Sequence, residues 1–380
     1  MNGASGLRPT LRLTGLVLYG MGTTIGAGVY ALTGVIAGEA GMNAPLAFLV
    51  ASVIAALTAG SFAELSARYP RAGGEAVYVQ EGFRRPRLSA IVGFLVTLAG
   101  IASAATVCRA FVGALGEVVE TPQFLAILGV CLIVGGTAAW GIRESALAAA
   151  VMTAVEIGGL LLIAGFAGDA WLTLPARAGE LWPESANAWA GVGAGAMLCF
   201  YAFLGFEDMV NVAEEVHDAR RVLPIGIGVT LLATALLYLL TTTAAILVVP
   251  PQELAASEAP LVLVFERSGG PAWILTAIAL FAMLNGALVQ VVKSSRILYG
   301  LAELGSVPKS LGKVNSRTRT PVRATLLVTV LVSALGLGFP VSSLAASTSA
   351  ITLVTFALAN LALVTVKLRD PEPVGIVTVP

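Results

Sequence analysis

Long, nearly unbroken runs of apolar residues dominate the sequence, and the polar residues gather in short stretches between them. A helix needs about 20 apolar residues to cross roughly 30 Å of hydrocarbon. Windows of that length predict ten membrane-spanning helices, near 13–37, 43–67, 88–115, 121–141, 145–167, 189–213, 223–249, 271–303, 322–340 and 344–367. Continuous runs favour helices over a β-barrel, whose strands are short and alternate in polarity. The pattern therefore predicts an all-α polytopic membrane protein.

Composition excludes the water-soluble classes. Of the 380 residues, 57% are hydrophobic and only 12% are charged, and the mean hydropathy is +0.90. Soluble domains carry about 25% charged residues, so this chain cannot cover the surface of a soluble globule and the lipid bilayer is its expected partner. The 22 Lys and Arg balance 22 Asp and Glu, which leaves no basic field to hold nucleic acid.

The residue types that carry metal or nucleophilic chemistry are scarce. Cys108, Cys131 and Cys199 lie inside apolar runs, and the single histidine, His217, lies in a charged stretch. An odd number of cysteines without short spacings indicates neither a disulfide framework nor a zinc site. The sequence therefore predicts no metal centre, no cofactor and no enzyme active site.

Positive charge is strongly biased to one side of the predicted spans. The opposite side has little beyond Arg177 and Arg267. Because cytoplasmic loops carry the excess of Lys and Arg, both termini are expected in the cytoplasm and the chain in the cytoplasmic membrane. The residues on the predicted cytoplasmic side are Arg8, Arg12, Arg68, Arg71, Arg84, Arg85, Arg87, Arg143, Arg220, Arg221, Lys309, Lys313, Arg317, Arg319, Arg323, Lys367 and Arg369.

Spans one and six carry interruptions at matching places. Span one has glycines at 20, 22, 26 and 28, whereas span six has Gly205 followed by Glu207 and Asp208. Glycine lowers helix stability by about 1 kcal/mol relative to alanine, and unwound backbone inside a bilayer is tolerated only where it lines a cavity or is buried in protein. The alternatives are that the glycines serve close helix packing and that the two acids lie at a helix end near the interface.

Two interrupted spans in two sets of five suggest an inverted repeat with a ligand site near the midplane. This organisation predicts a first repeat over 1–167, an extracellular loop over 168–188, a second repeat over 189–367 and a C-terminal tail over 368–380.

Four segments, in chain order, resemble motifs of the amino acid–polyamine–organocation transporters, of the amino acid permease type. They are GTTIGAGVY at 22–30, FAELSARYPRAGG at 62–74 with Tyr78 after it, FLGFE at 203–207 followed by Glu214, Glu215 and Pro224, and SRILY at 295–299 followed by Pro308 and Pro321. The resemblance implies a LeuT-like fold of two inverted five-helix repeats with broken spans one and six. The last two of the usual twelve spans are absent, so the chain is expected to be either a ten-span core or a truncated sequence.

The resemblance also implies a binding mode for an amino acid. The backbone amides of Gly26, Ala27 and Gly28 would hold the substrate carboxylate, which agrees with the partial positive charge at a helix N-terminus. Carbonyl groups would accept from the substrate ammonium group near Thr23, Thr24, Tyr201, Ala202 and Leu204.

Tyr201 and three charged residues have implied roles in gating and ion coupling. Tyr201 matches a gating aromatic, or is a core or interfacial tyrosine. Glu207 matches an acid tied to coupling, or is a helix-end carboxylate. Glu156 falls in the middle of span five, where an ionised group is costly and functional by default; it either binds a proton or pairs with Lys293 on span eight.

These features predict a secondary active transporter that moves amino acids by alternating access, with the proton as coupling ion in symport. An uncoupled exchanger of amino acids or amines, and a sensor that uses the same pocket without transport, remain as alternatives.

Overall fold

A computed structural model describes residues 9–26, 28–116, 122–257, 259–371, 376 and 378. Over that part the regular structure is helical, apart from one isolated bridge between Leu11 and Val216. The α-helices are α1 (Leu13–Ile25), α2 (Gly28–Ala40), α3 (Ala44–Arg68), α4 (Gly74–Phe83), α5 (Pro86–Gly116), α6 (Gln123–Trp140), α7 (Ile142–Phe166), α8 (Ala170–Arg177), α9 (Ala186–Ala202), α10 (Ala219–Val248), α11 (Pro251–Ala256), α12 (Pro260–Arg267), α13 (Ala272–Glu303), α14 (Val322–Gly338) and α15 (Val341–Lys367). Tighter 3₁₀ segments cover Gly41–Asn43, Ala178–Leu181 and Phe206–Glu215.

Fewer helices than predicted are long enough to span a membrane by themselves. Among the described residues, eight stretches qualify by length and composition, and α14 is a shorter apolar helix. The predicted first span is two helices of 13 residues each, α1 and α2. Either one alone is shorter than the roughly 17 residues that a crossing requires.

Both predicted interruptions are present, and a glycine lies at each. Helix α1 ends at Ile25, where Gly26 takes φ 36° and ψ −158°. Helix α9 ends at Ala202, and Gly205, with φ 127°, leads into the segment Phe206–Glu215. L-residues with a side chain rarely adopt positive φ, so the glycines at 26 and 205 allow the chain to leave the helix at these points. The relation of the two halves as inverted copies stays a prediction.

Small residues set the close packing of the long helices. Helix α3 buries alanines three or four positions apart, at 44, 47, 51, 55 and 59, and packs along α10. Its opposite face exposes Leu49, Val53 and Leu57. In a bilayer, helices associate through such small residues, while larger apolar side chains face lipid.

Helix α4 lies across one end of the bundle, packed on α5 and α15. Ser89 donates a hydrogen bond to the Ala76 carbonyl at 2.7 Å, and Arg369 donates to the Gly82 carbonyl. At the same end, Arg68 bonds to Glu64 at 2.6 Å and to the Asp370 carboxylate at 3.3 Å. This end, which the positive charges predict to face the cytoplasm, is here called the inner end.

Candidate functional site

The two helix breaks meet at a cavity of about 280 Å³. Its walls come from the breaks themselves and from α5, α13 and α15. Seven of the residues predicted to bind substrate line it: Thr23, Thr24, Gly26, Gly28, Tyr201, Ala202 and Leu204. Ala27, the remaining one, lies outside the described residues.

Main-chain groups of opposite polarity reach this cavity. Helix α2 begins at Gly28, which lines the wall, and the first N–H groups of a helix have no acceptor within it. Helices α1 and α9 end at the same place, and the last carbonyls of a helix lack intrahelical donors. The cavity therefore combines the donor end of one helix with the acceptor ends of two others.

Tyr238, on α10, ties the two acceptor ends together. Its hydroxyl lies 3.0 Å from the Thr24 carbonyl oxygen, 3.0 Å from that of Ala202 and 3.4 Å from that of Ile25. The hydroxyl has one hydrogen, so it donates to one of these carbonyls at a time. The ring is fully buried and packs edge-on against Phe48 and Phe203. The sequence does not point to this residue, because a single tyrosine in an apolar span gives no sign of which groups its hydroxyl contacts.

The two helix breaks contact each other at Gly205. The Thr23 hydroxyl is 2.8 Å from the Gly205 carbonyl oxygen and 2.7 Å from that of Gly20. A Cβ atom at position 205 would overlap the Thr23 carbonyl oxygen and lie 2.8 Å from the Thr24 nitrogen. The Gly205 N–H donates to Glu207 Oε2 at 2.7 Å. The carboxylate of Glu207 is thus part of the break in span six.

A buried ion pair lies at the floor of the cavity. The Lys293 ammonium contacts the Asp208 carboxylate, and Gln290 Nε2 donates to Asp208 Oδ2 at 2.9 Å. Lys293, Gln290 and Glu207 line the cavity, while Asp208 is fully buried behind them. Asp208 was given no coupling role at the sequence level, although its position beside Glu207 inside an apolar span was a signal that both acids need partners.

Glu156 lies in a separate buried cluster. Its Oε1 accepts from Asn285 Nδ2 at 2.9 Å, and the same amide is 3.0 Å from the Thr153 hydroxyl. Gly22 makes room for this cluster, because a Cβ there would lie 2.5 Å from the Asn285 amide nitrogen. The alternative of an ion pair between Glu156 and Lys293 is wrong, since the ammonium lies against Asp208 instead.

Tyr201 is 38% exposed and lines the cavity. The alternative of a core tyrosine does not fit this position. Arg109, on α5, donates to the Gly336 carbonyl at 2.8 Å and so caps one of the last free carbonyls of α14.

Comparison with known proteins identifies relatives of this chain. The chain is 31% identical over 403 residues to the vacuolar cationic amino acid transporter 4 of Arabidopsis thaliana, covering 98% of this chain but only 66% of that one. It is 27% identical to the branched-chain amino acid permease BcaP of Bacillus subtilis, over 98% of this chain and 83% of the permease.

A solved structure of a Na⁺-coupled sialic acid symporter, in a substrate-bound outward-open state, shares the fold. It aligns with a TM-score of 0.65 over 93% of this chain and 78% of the symporter, at 12% identity. The chain is therefore a multi-pass membrane protein with a LeuT-like fold. The sequence model of the amino acid permease family matches residues 10–376, and the chain belongs to that family.

Proposed function

We propose that this protein moves amino acids across the cytoplasmic membrane by alternating access, with symport of protons. The observation that carries the proposal is the convergence of one helix N-terminus and two helix C-termini on a single cavity. A helix N-terminus favours a carboxylate and freed carbonyls favour an ammonium group. A zwitterionic amino acid carries both groups.

The size and lining of the cavity support a small polar substrate. Its volume of about 280 Å³ lies at the lower limit of typical ligand pockets, which run from about 300 to 1,000 Å³. Away from the breaks, four hydroxylated residues contribute to the wall: Ser103, Thr106, Thr348 and Thr352. Relatives of this chain are named for cationic and for branched-chain amino acids. Both classes therefore belong among the candidate substrates to be tested.

The proposal also assigns gating and proton coupling to four residues. Tyr201 would close over the substrate from the wall that it lines. Glu156 would carry the coupling proton, because it is fully buried and its only described side-chain partner is the neutral amide of Asn285. Glu207 and Lys293 would connect the substrate site to the coupling step through the break in span six.

Reconstituted vesicles test the proposal. We expect purified protein to take up at least one labelled amino acid, to concentrate it when the outside is made acidic, and to lose accumulation when a protonophore is added. Exchange without accumulation would indicate the uncoupled exchanger, and ligand-induced stabilisation without any flux would indicate the sensor.

Gly28→Leu is expected to weaken amino acid binding at least about 100-fold, or about 2.7 kcal/mol. A Cβ at position 28 is 3.8 Å from the Ala202 Cα and fits, but the remaining carbons of leucine occupy the space where α2 meets α9 at the cavity. Thermal-shift titration measures the loss. Gly136→Leu is the matched control, because position 136 is exposed on α6 with no atom within 4 Å of its Cβ. Unchanged binding by Gly28→Leu would place the substrate elsewhere.

Glu156→Gln is expected to flatten the pH dependence of uptake. The amide keeps the shape of the side chain but cannot bind and release a proton, so the several-fold gain in rate between about pH 8 and about pH 6 outside should disappear. Initial rates of labelled uptake measure it, with Glu180→Gln as a surface control that removes only the exposed pair with Arg177. An unaltered pH profile would remove Glu156 from the coupling step.

A further inference from the structure

A second group of buried polar side chains lies on the inner side of the cavity floor. Glu75, near the start of α4, is 1% exposed, and within the described part of the chain its Oε2 has no partner. Asn211 is fully buried beside it, and neither polar atom of its side-chain amide has a hydrogen-bond partner there. A Cβ at Gly74 would lie 2.5 Å from Asn211 Oδ1, so α4 and the segment Phe206–Glu215 meet at this point.

Acids outnumber bases in this region. Among the described residues, the carboxyl groups of Glu75, Glu207 and Asp208 all interact electrostatically with the ammonium group of Lys293. The next cation towards the inner end, Arg296, is fully buried and bonds to Glu215 at 3.1 Å. Burying an ionised carboxylate without a counter-ion is costly enough that the group takes up a proton instead. Lys293 can balance the charge of only one of the three carboxyl groups, so at least one of the other two should be neutral.

The ion pair and the hydrogen bonds differ among the three carboxyl groups. Asp208 forms the direct ion pair with Lys293 and accepts from Gln290. Glu207 accepts the Gly205 N–H. Both arrangements stabilise a negative charge, whereas Glu75 Oε2 receives nothing. Asp208 is thus the carboxyl group that Lys293 balances directly, and Glu75, which has an unpartnered carboxyl oxygen, is a group that can hold a proton.

In the described part of the chain, the cations on the other elements around α4 bind partners other than Glu75 or lie at the surface. Helix α15 brings Lys367, which bonds to Glu64 at 3.2 Å, and after its end Arg369 reaches the Glu81 and Gly82 carbonyls. On α5, Arg87 is exposed and Arg109 lies at the far end with Gly336. On α4 itself, Tyr78 is buried and its hydroxyl has no hydrogen-bond partner among the described residues, and Glu81 pairs at the surface with Arg71. Among the described residues, Lys293, Asp208 and the amide of Asn211 are the polar side chains that face Glu75.

The path from Glu75 to the inner surface is closed by contacts between three elements. The buried pair of Arg296 and Glu215 joins α13 to the segment Phe206–Glu215. Glu214 accepts from the Ala72 N–H at 3.1 Å and from the Tyr299 hydroxyl at 3.3 Å. Opening the inner end would separate these contacts and let water reach Glu75.

We propose that Glu75 is a second proton-binding site, which holds a proton while the inner end is closed and releases it to the cytoplasm when that end opens. The inference rests on the proposed transport function for its role, but the site itself stands on the geometry of Glu75, Asn211 and Lys293. Nothing in the binding of the substrate zwitterion requires this acid.

The direction of the pH effect follows from the closed structure. Burial raises the pKa of Glu75 to about 7, and the nearby Lys293 ammonium and the Asn211 amide oppose the rise only in part. A hydrated Glu has a pKa of about 4.3, so between these values the closed form binds more protons than the open form. Acid at the inner end therefore stabilises closure, and opening becomes easier as the internal pH rises through about 7.

Infrared difference spectra of purified protein between about pH 6 and about pH 8 test the site directly. We expect a protonated-carboxyl band that titrates near neutral pH in the wild type, and Glu75→Gln should remove one component of it while leaving the component that belongs to Glu156. Glu75→Asp, which keeps a carboxyl group, should retain a shifted band, and Glu81→Gln, on the same helix, should retain the wild-type band. A band unchanged in Glu75→Gln would overturn the proposal.

Transport measured at different internal pH values tests whether Glu75 releases its proton to the cytoplasm. In vesicles of wild-type protein, delivery to the inner side should rise up to about tenfold from about pH 6 to about pH 8 inside, as the protonated fraction of one group falls. Glu75→Gln should remove most of that rise, and Glu81→Gln should leave it intact. Loss of the Glu75 component of the infrared band with an unaltered internal pH profile would overturn the release role. A wild type that shows the band but moves no amino acid would refute the transport function and leave the proton site standing.

Discussion

Gly205→Ala is expected to abolish amino acid binding, with a loss of at least about 100-fold in affinity. The methyl group would overlap the Thr23 carbonyl oxygen and lie 2.8 Å from the Thr24 nitrogen, at a residue with φ 127°. Backbone strain in that region costs about 1–3 kcal/mol for a residue with a side chain, and the contact adds to it. Relief requires the two breaks to move apart, which separates the carbonyls from the α2 N-terminus.

A matched control separates this effect from general instability. Gly193→Ala lies on the same polypeptide segment, in α9, at an exposed position with no atom within 4 Å of the added carbon. It should bind substrate normally and be no less stable than the wild type, because alanine suits a helix interior better than glycine. Thermal-shift titration and gel filtration of both variants make the comparison. Wild-type affinity in Gly205→Ala would show that the close approach of the breaks does not shape the site.

Tyr238→Phe is expected to lower both stability and substrate affinity. The ring keeps its contacts with Phe48 and Phe203, but the carbonyls of Thr24, Ile25 and Ala202 lose their shared donor. Removing one partner of a buried hydrogen bond costs about 1–3 kcal/mol. Because the unsatisfied carbonyls repel one another, part of the cost falls on binding, and affinity should drop about tenfold, or about 1.4 kcal/mol.

Tyr19→Phe provides the comparison for Tyr238→Phe. Tyr19, on α1, is also fully buried, but its hydroxyl has no hydrogen-bond partner in the described part of the chain. Its removal should leave the affinity and the denaturation temperature close to those of the wild type. If both variants behaved alike, the hydroxyl of Tyr238 would have no role in holding the broken helices.

The position of each break could be predicted because it depends on local backbone chemistry. Glycines at 26 and 205 take positive φ angles that other residues avoid, and both were singled out from the run in which they occur. Gly22, in the same run, has a different task that sequence cannot reveal. It leaves space for Thr153 and Asn285, which come from α7 and α13, so its role depends on how distant spans pack.

The charged contacts could be predicted only in part, for a related reason. An acid or base inside a span signals a need for a partner. Glu156, Glu207 and Lys293 are buried, and their roles in coupling stay predictions. Which acid meets Lys293 depends on the rotation of α13 about its axis, and the structure selects Asp208 over Glu156. The number of long helices differed for a simpler reason. The break divides predicted span one into the short helices α1 and α2, and α14 is also too short to be counted among the eight spanning stretches of the described residues.

The most direct test of the central claim compares one amino acid with two analogues that each lack one charged end. Once a substrate is identified by the vesicle assay, competition against labelled substrate should be measured for its decarboxylated amine and for its deaminated acid. If the main-chain groups of both breaks hold both ends of the zwitterion, each analogue should bind at least about 100-fold more weakly, since two charge-assisted hydrogen bonds of about 1.5 kcal/mol or more are lost. Competition by either analogue at the affinity of the parent amino acid would contradict the account.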